Sequence, residues 1–308
     1  MPYTYPPAPP TFTGETTTIH RLLQDPAAIA KRVRTLASQR FIADALLTGR
    51  FTAAGGSISW NVDDDSLFTT RSPESIQPGG EYPMAALGMG TEQLASVKKW
   101  GQDVPVFDEA IKRMKISPVD KAFTKLVNHM VKQVDSITMA AIVAAVTNTS
   151  AAAATWDTAT AKQIFKDVAL AKARVVDLNL GYEPDTVVCD TISWVNAMAT
   201  FADAGYLPRE SGSAPIFTGE FPVIDGMRWL CTPNGPVSKA AMVVDTTALG
   251  GMADEDLGGP GYTGDLNGVE TKSIREDKID GYLLRARRVT VPVVVEPGAA
   301  RLITAVAP

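Results

Sequence analysis

Apolar residues spaced three and four apart mark the longest regular stretch of the sequence, which runs from Ser117 to about Val146. This spacing places them on one face of a helix, for which Ser117 is a suitable N-cap and Pro118 a suitable first residue. The predicted core face contains Val119, Phe123, Val127, Met130, Val134, Ile137, Ala141 and Val146. The predicted solvent face contains Lys121, Lys125, Asn128, Lys132, Asp135 and Ser136. At roughly 1.5 Å per residue this helix is about 45 Å long, which suits either a core helix of an ordinary α+β domain or a rod that spans a subunit.

Strict alternation of apolar and polar residues predicts a hairpin ahead of the long helix. Ile58, Trp60 and Val62 alternate with polar residues, and a second extended run from Glu81 to Val97 follows a Pro-Gly-Gly turn. The polar tip of the hairpin contains Asp63, Asp64, Asp65, Arg71 and Glu74. Because isolated hairpins are marginal in water, this one must rest on its own domain or on something else.

The residues after the long helix predict a compact α/β unit. Its predicted helices are residues 157–180 and 191–204, and its predicted strands are residues 186–189, 228–231 and 240–245. We expect residues 151–154 to form a linker, residues 249–268 a glycine-rich acidic loop, and residues 282–306 several strands, with an edge or bend at Pro292.

The N-terminal region combines a proline-rich segment with a basic helix. Five of the first ten residues are proline, which predicts an extended arm over Met1–Thr18. One or two helices follow within Leu22–Leu47, and their basic residues are Lys31, Arg32, Arg34 and Arg40. Such a face is either solvated or placed against phosphates.

Composition limits the class of protein. The chain has 308 residues, 45% of them hydrophobic, and a net charge of −5. This charge argues against a dedicated nucleic-acid binder, although not against a protein that encloses DNA without gripping it. No apolar run reaches the ~18 residues that a membrane span needs. Cys189 and Cys231 lie in apolar runs, so we expect reduced core residues; a disulfide would require them to be adjacent in the fold.

No motif in the sequence supports catalysis, a cofactor or a metal. Residues 259–264 spell GxGxxG, but glycine-rich loop lies on both sides and proline occupies the second position, so we expect no dinucleotide site. The two histidines, His20 and His129, have no acidic cluster at metal-ligand spacing. The acidic triplets 63–65 and 254–256 lack a calcium-loop pattern and predict solvated turns. These absences disfavour an enzyme.

The order of these parts resembles the major capsid protein of tailed double-stranded-DNA bacteriophages, which has the Hong Kong 97 capsid fold. Residues 58–100 look like the extended E-loop of that family, and residues 100–118 look like the entry to its spine helix. The segment PDTVVC at residues 184–189 resembles the central strand of the A-domain, and residues 287–306 resemble the closing strands of the P-domain. The resemblance is nearest to phages of actinobacteria.

The resemblance implies an α+β Hong Kong 97-type fold with five parts. These are the N-terminal arm and helix (1–49), the E-loop (50–101), a P-domain segment with the spine helix (102–150), the A-domain (151–264) and the closing P-domain strands (265–308). The E-loop tip, Asp63–Asp65 with Arg71 and Glu74, is then an inter-subunit contact. Phe123, Val127, Met130, Val134 and Ile137 form the core face of the spine helix.

The resemblance also implies a structural function. The chain would assemble with itself into hexamers and pentamers of an icosahedral head in the host bacterial cytoplasm, and it would end in the virion around packaged DNA. The implied partners are a separate scaffolding protein, a portal and a decoration protein, without sequence-specific DNA binding, membrane or cofactor. Two alternatives stay open: an encapsulin-type nanocompartment shell, and a soluble α/β enzyme with a pocket near residues 249–268.

One departure from part of that family concerns covalent cross-linking. Some members join subunits through an E-loop lysine, whereas residues 51–97 contain no lysine here and Lys98 and Lys99 lie at the base of the arm. Arg71 is too basic to act as the nucleophile. We therefore expect a shell that is held by non-covalent contacts.

Overall fold

The structure is a computed structural model. It describes residues 42–62, 71–85, 91–114, 117–204, 223–233, 240–263 and 269–307. The predicted proline-rich arm, most of the basic helix, and Asp63–Asp65 lie outside the described residues. The described part begins with a short helix, α1 (Ala43–Leu46), followed by strand β1 (Gly49–Thr52). None of the described helices is both long and apolar enough to cross a membrane.

The predicted long helix is present as α3 (Ser117–Ala145), a helix of 29 residues preceded by α2 (Asp108–Met114). Its buried apolar residues include Phe123, Val127, Met130 and Val134, while Ile137 is half-buried. The helix lies across strands β4 (Lys98–Phe107) and β12 (Gly281–Val294) of a five-stranded sheet. The prediction that Asp135 faces solvent is wrong: it is 2% exposed, because α1 packs over it and hydrogen-bonds to its carboxylate.

The five-stranded sheet is organised around β12, which is 14 residues long. β12 pairs antiparallel with β4, with β10 (Gly250–Asp254) and with β11 (Val269–Glu276), and β10 also pairs in parallel with β1. Pro292 does not end the strand; it pairs with Met252. The pairing of β12 with β4 ends at Thr290, two residues before the proline. On the β4 side, the missing N–H of Pro292 therefore interrupts no hydrogen bonds between strands.

The prediction that residues 249–268 form a loop is wrong for their first part, because Gly250–Asp254 is the buried strand β10. Glycine is required there by close approach of the backbones. A Cβ on Gly251 would lie 2.3 Å from the carbonyl oxygen of Gly49, and one on Gly250 would lie 2.2 Å from that of Val293. The glycines that suggest a flexible loop thus allow tight packing between strands.

A second sheet has six strands, in the order β5-β13-β9-β6-β8-β7. These are β5 (Thr149–Ala151), β6 (Thr186–Cys189), β7 (Val223–Ile224), β8 (Met227–Cys231), β9 (Ala241–Val244) and β13 (Ala300–Thr304). The predicted strands β6, β8 and β9 are present within a residue or two. The predicted linker 151–154 is wrong at its start, because Ala151 belongs to β5 and pairs with Thr304.

Two helices, α4 (Ala161–Val176) and α5 (Thr191–Asp203), accompany the second sheet. α4 is shorter than the predicted 157–180 because Thr160 and Gln163 form a capping box at its start. At its other end, Asn179 and Gly181 adopt positive φ. α5 begins where predicted, since the Asp190 side chain accepts a hydrogen bond from the Ile192 N–H. Trp156, Trp229 and Phe201 fill the core beneath them.

The predicted hairpin consists of β2 (Ser57–Val62) and β3 (Thr91–Ser96), paired antiparallel to each other. Its second strand is shorter than the predicted run 81–97, because residues 81–85 form no strand. Within the described residues, the regular pairing lies at the base of the hairpin, nearest the five-stranded sheet.

Candidate assembly surfaces

The base of the hairpin is fixed to the chain's own five-stranded sheet. The indole N–H of Trp60 donates to the carbonyl oxygen of Val294 over 3.0 Å. Ile58, Trp60 and Val97 pack against a small buried cluster that includes Ala53 and Val293. The Gly56 N–H also donates to the Glu255 carboxylate over 3.1 Å. The direction in which the hairpin leaves the subunit is therefore set by the subunit itself.

The hairpin region also exposes large apolar side chains, one on the paired strand β3 and two on the segment before it. Tyr82 is 84% exposed, Met84 88% and Leu94 73%. Each is large enough to contribute about 1.5–3 kcal/mol if fully buried. Of the predicted tip residues that the structure describes, Arg71 and Glu74 are exposed and form an ion pair with each other at 3.0 Å. The apolar side chains mark a surface that the described residues leave uncovered.

A cleft of about 600 Å³ separates the hairpin from the C-terminal end of α3. The hairpin wall contains Trp60, Val62 and Gln93, and the opposite wall contains Ala141 and Ala145 of α3. Thr91, Thr147, Pro292, Val294 and Pro297 complete its lining. A chain segment in this cleft would contact both the projecting arm and the long helix.

A buried ionic cluster joins the first described residues to the two central strands. Arg288, on β12, is fully buried, and its guanidinium contacts the carboxylates of Asp44 at 3.0 Å and Asp254 at 3.2 Å. Arg50 adds a second cation, 2.9 Å from Asp44. Burial alone would lower the pKa of Arg288, but the two carboxylates outweigh it and raise that pKa. The cluster fixes α1 to the sheet and was not anticipated from the sequence.

Asp135 connects the same segment to the long helix. Its carboxylate accepts the Ala43 N–H over 3.0 Å at the start of α1. Burial raises the pKa of Asp135 to about 6, although the backbone hydrogen bonds and Arg288 act in the opposite direction. The sequence pattern assigns Asp135 to the solvent face of the helix, because its partner lies 92 residues away.

The face of the five-stranded sheet that points away from α3 is polar. Arg285 forms two hydrogen bonds with the Asp103 carboxylate, at 2.7 and 2.6 Å, which raise the pKa of the arginine. Arg287 lies 3.7 Å from the centre of the Tyr262 ring and forms an ion pair with Glu270. Tyr262, in the GxGxxG segment, thus packs against a residue of strand β12. The segment lacks the strand–turn–helix arrangement of a dinucleotide site.

Two carboxylates beside the second sheet, the buried Asp245 and the half-buried Asp185, have structural partners. Asp245 accepts hydrogen bonds from the N–H groups of Glu183 and Thr247 over 2.8 and 2.9 Å. Asp185 accepts from the hydroxyl of Thr246 over 2.7 Å. Burial would raise the pKa of Asp245, but the hydrogen bonds that it accepts, first from the Thr247 hydroxyl and then from the backbone N–H groups, lower it overall. The group is therefore held ionised as a turn anchor.

Residue types that often bind metals are not gathered at one site in the described part of the chain. They contain no group of three or more His, Cys, Asp or Glu side chains that could hold a metal ion. His129 is exposed on the long helix, and His20 lies outside the described residues. The prediction that Asp254 lies in a solvated turn is wrong, since Asp254 contacts the buried Arg288. Its role is therefore to hold the fold together.

The long helix on an antiparallel sheet, the second α/β sheet and the projecting hairpin define a Hong Kong 97-type capsid fold. A phage-related protein from Bordetella bronchiseptica RB50 is similar over 92% of this chain and 97% of its own, with a TM-score of 0.59 and 11% identity. A structure from Microbacterium phage Oxtober96 covers 86% of this chain and 90% of its own, with a TM-score of 0.56 and 14% identity.

An encapsulin complex from Synechococcus elongatus PCC 7942 is also similar, covering 85% of this chain and 86% of its own, with a TM-score of 0.56 and 12% identity. A search of curated proteins found no match. The family model described as phage capsid protein matches residues 90–303, more than half of the chain. The chain therefore belongs to the phage capsid protein family, and it is a structural shell protein.

Proposed function

We propose that this chain is the major capsid subunit that assembles into the hexamers and pentamers of an icosahedral phage head around packaged double-stranded DNA. The observation that carries the proposal is the hairpin: it is fixed to its own subunit by Trp60 and Val294, while Met84 and Leu94 stay exposed. The hairpin is oriented by its own subunit, but its large apolar side chains are exposed there. Such an arm is suited to contact a neighbouring subunit. Many weak contacts then act together in a closed shell.

The five-part division predicted from the sequence is part of this proposal. In it, the E-loop of one subunit contacts the next subunit, with Asp63–Asp65, Arg71 and Glu74 at the contact. The long helix supports the subunit from within. A separate scaffolding protein, a portal and a decoration protein are the further proposed partners. Packaged DNA is enclosed without sequence-specific binding, and the proposed host is an actinobacterium.

A second candidate is an encapsulin-type nanocompartment. It is favoured by the encapsulin complex among the similar structures, whose TM-score equals that of the Microbacterium phage structure. The two candidates share the subunit fold and differ in what the shell encloses. Nuclease-protected DNA in purified particles supports the phage head, whereas an enclosed enzyme without DNA supports the nanocompartment. Neighbouring portal and terminase genes would agree with the first outcome.

Electron microscopy of the expressed chain tests assembly directly. We expect closed shells from the wild type, or from the wild type expressed with a scaffolding protein. Leu94→Asp and Met84→Asp should give folded subunits by circular dichroism but few shells, because both residues are exposed in the monomer. Leu257→Asp, at an exposed residue outside the hairpin, is the matched control and should assemble. Full yields of shells from both hairpin variants would refute the role of the arm.

Deletion of Asp63–Pro78 separates folding from assembly in the same experiment. The deletion removes the polar tip and leaves the Trp60–Val294 hydrogen bond in place. The subunit should stay soluble and keep the wild-type circular dichroism spectrum while particle yield falls. Normal shells from the shortened chain would contradict the proposal, and an insoluble chain would show that the tip is needed for folding.

A further inference from the structure

The two cysteines of the 308-residue chain are adjacent in the fold. Cys189 is the last residue of β6 and Cys231 is the last residue of β8, and these parallel strands pair in a register that sets the two cysteines side by side. Val187 and Trp229, two residues earlier on each strand, share one buried cluster with Cys189. Because side chains two residues apart point to the same face of a sheet, both thiols lie on that face.

The spacing and orientation of the pair suit a disulfide. Neighbouring strands lie about 4.8 Å apart, which falls within the ~4.4–6.8 Å between Cα atoms of bonded cysteines. The Cys189 thiol donates to the carbonyl oxygen of Leu230 over 3.6 Å, so it is already directed at the strand that carries Cys231. Both thiols are free in this structure. Since each cysteine ends its strand, small adjustments of the Cβ positions disturb few ladder hydrogen bonds.

The two thiols differ in access. Cys189 is fully buried, whereas Cys231 is partly exposed. A reagent from solvent therefore reaches Cys231 first. Burial raises the pKa of both thiols, so little thiolate is present at neutral pH and exchange is slow. The pair is suited to slow formation of a stable crosslink rather than to rapid sensing.

We propose that Cys189 and Cys231 are an oxidation site. A small-molecule disulfide, such as oxidised glutathione, oxidises the two thiols, and they form an intramolecular disulfide. The Cys231 thiolate attacks one glutathione sulfur, which forms a mixed disulfide and releases one glutathione thiolate. The Cys189 thiolate then attacks the Cys231 sulfur and releases the second glutathione. Two protein thiols are oxidised, one glutathione disulfide is reduced, and the two thiol protons go to solvent or to the released thiolates.

The disulfide would join two adjacent strands of the six-stranded sheet and close the segment that contains α5. In a reducing cytoplasm the thiols stay free, and the bond forms after exposure to oxidising surroundings. The chemistry depends on the register of β6 and β8, not on shell assembly. It therefore stands or fails separately from the proposed function.

The test uses the purified full chain, incubated with oxidised glutathione at pH 8.5. The protein is then denatured, alkylated with iodoacetamide and weighed by mass spectrometry. We expect the wild type to lose both alkylation sites, to carry no glutathione, to stay monomeric on a non-reducing denaturing gel, and to regain both sites after dithiothreitol. Two alkylatable thiols, a lasting glutathione adduct or a disulfide-linked dimer in the wild type would each overturn the proposal.

Single variants test the order of steps. Cys189→Ser should retain glutathione on Cys231, because no second thiol is present to displace it. Cys231→Ser should stay unmodified, because Cys189 is buried. If either variant fails to fold, the wild-type masses alone still decide the proposal. Equal labelling of the two variants by glutathione would refute the assigned entry through Cys231.

Discussion

Replacement of the buried Asp135 by asparagine should make the stability of this subunit less dependent on pH. Asp135 is 2% exposed and lies on the long helix, beneath the N-terminal end of α1. Burial raises its pKa from the ordinary 3.8 to about 6, although Ala43 and Ile42 donate hydrogen bonds that lower it. Nearby Asp44 raises the same pKa and Arg288 lowers it. Asparagine keeps the shape and an acceptor oxygen but cannot ionise.

The magnitude follows from linkage between protonation and folding. One pKa unit corresponds to about 1.4 kcal/mol, so ionisation of Asp135 in the folded chain lowers the free energy of unfolding by about 3 kcal/mol at neutral pH. The folded-state pKa lies above that of the unfolded chain, so the folded state binds the proton more tightly. The loss is absent below pH ~4, grows between pH ~4 and ~6, and is complete above.

The assay is urea unfolding of wild type and Asp135→Asn at pH 7, 6, 5 and 4, at one protein concentration. At pH 7 the variant should be more stable by up to about 3 kcal/mol, and the difference should vanish towards pH 4. Asp157→Asn, at an exposed aspartate, is the control and should follow the wild type at every pH. A difference that stays constant with pH, or a variant that is less stable at pH 7, would refute the assignment.

Three further perturbations address the core and the joining of subunits. Arg288→Ala leaves the carboxylates of Asp44 and Asp254 without their buried cation and should lower the free energy of unfolding by about 3–5 kcal/mol. The control Arg275→Ala, at an exposed ion pair, should change the urea midpoint little. Equal effects of the two substitutions would be inconsistent with a stabilising cluster. Val134→Asp buries a charge at a residue 1% exposed and should yield insoluble protein, so soluble shells from it would contradict the assigned core face. Mature particles boiled in detergent with reductant should give one band near the monomer mass of 32.8 kDa, since residues 51–97 contain no lysine; a ladder of covalent oligomers would disprove non-covalent joining.

The elements that could be predicted are those whose causes are local. The spacing of apolar residues places Phe123, Val127 and Val134 on one face, and the structure buries all three on the sheet. The helix α5 could be placed because Asp190 caps it directly after a short apolar strand. In both cases the residues that decide the structure lie within a few positions of one another.

The elements that could not be predicted depend on partners far along the chain. The strand β10 looks like a loop because Gly250 and Gly251 are poor strand formers, and only the close approach of Val293 to the first and of Gly49 to the second explains them. Asp135 looks like a solvent-facing residue because its partner, Ala43, lies 92 positions earlier. Arg288 interrupts the alternation of β12, but the sequence does not show that two carboxylates meet it.

The hairpin shows why a shell protein is hard to interpret from a single chain. Alternation predicts β2 correctly, because Ile58 and Trp60 find cover on the subunit's own sheet. The predicted second strand forms at Thr91–Ser96 but not over residues 81–85, where Tyr82 and Met84 remain exposed. In a protein that works alone, such exposure would lower solubility and be disfavoured. In a shell, the same side chains would be buried by a neighbouring subunit. The segment that the sequence pattern wrongly predicts to be a strand is therefore also the segment to which we assign contact between subunits.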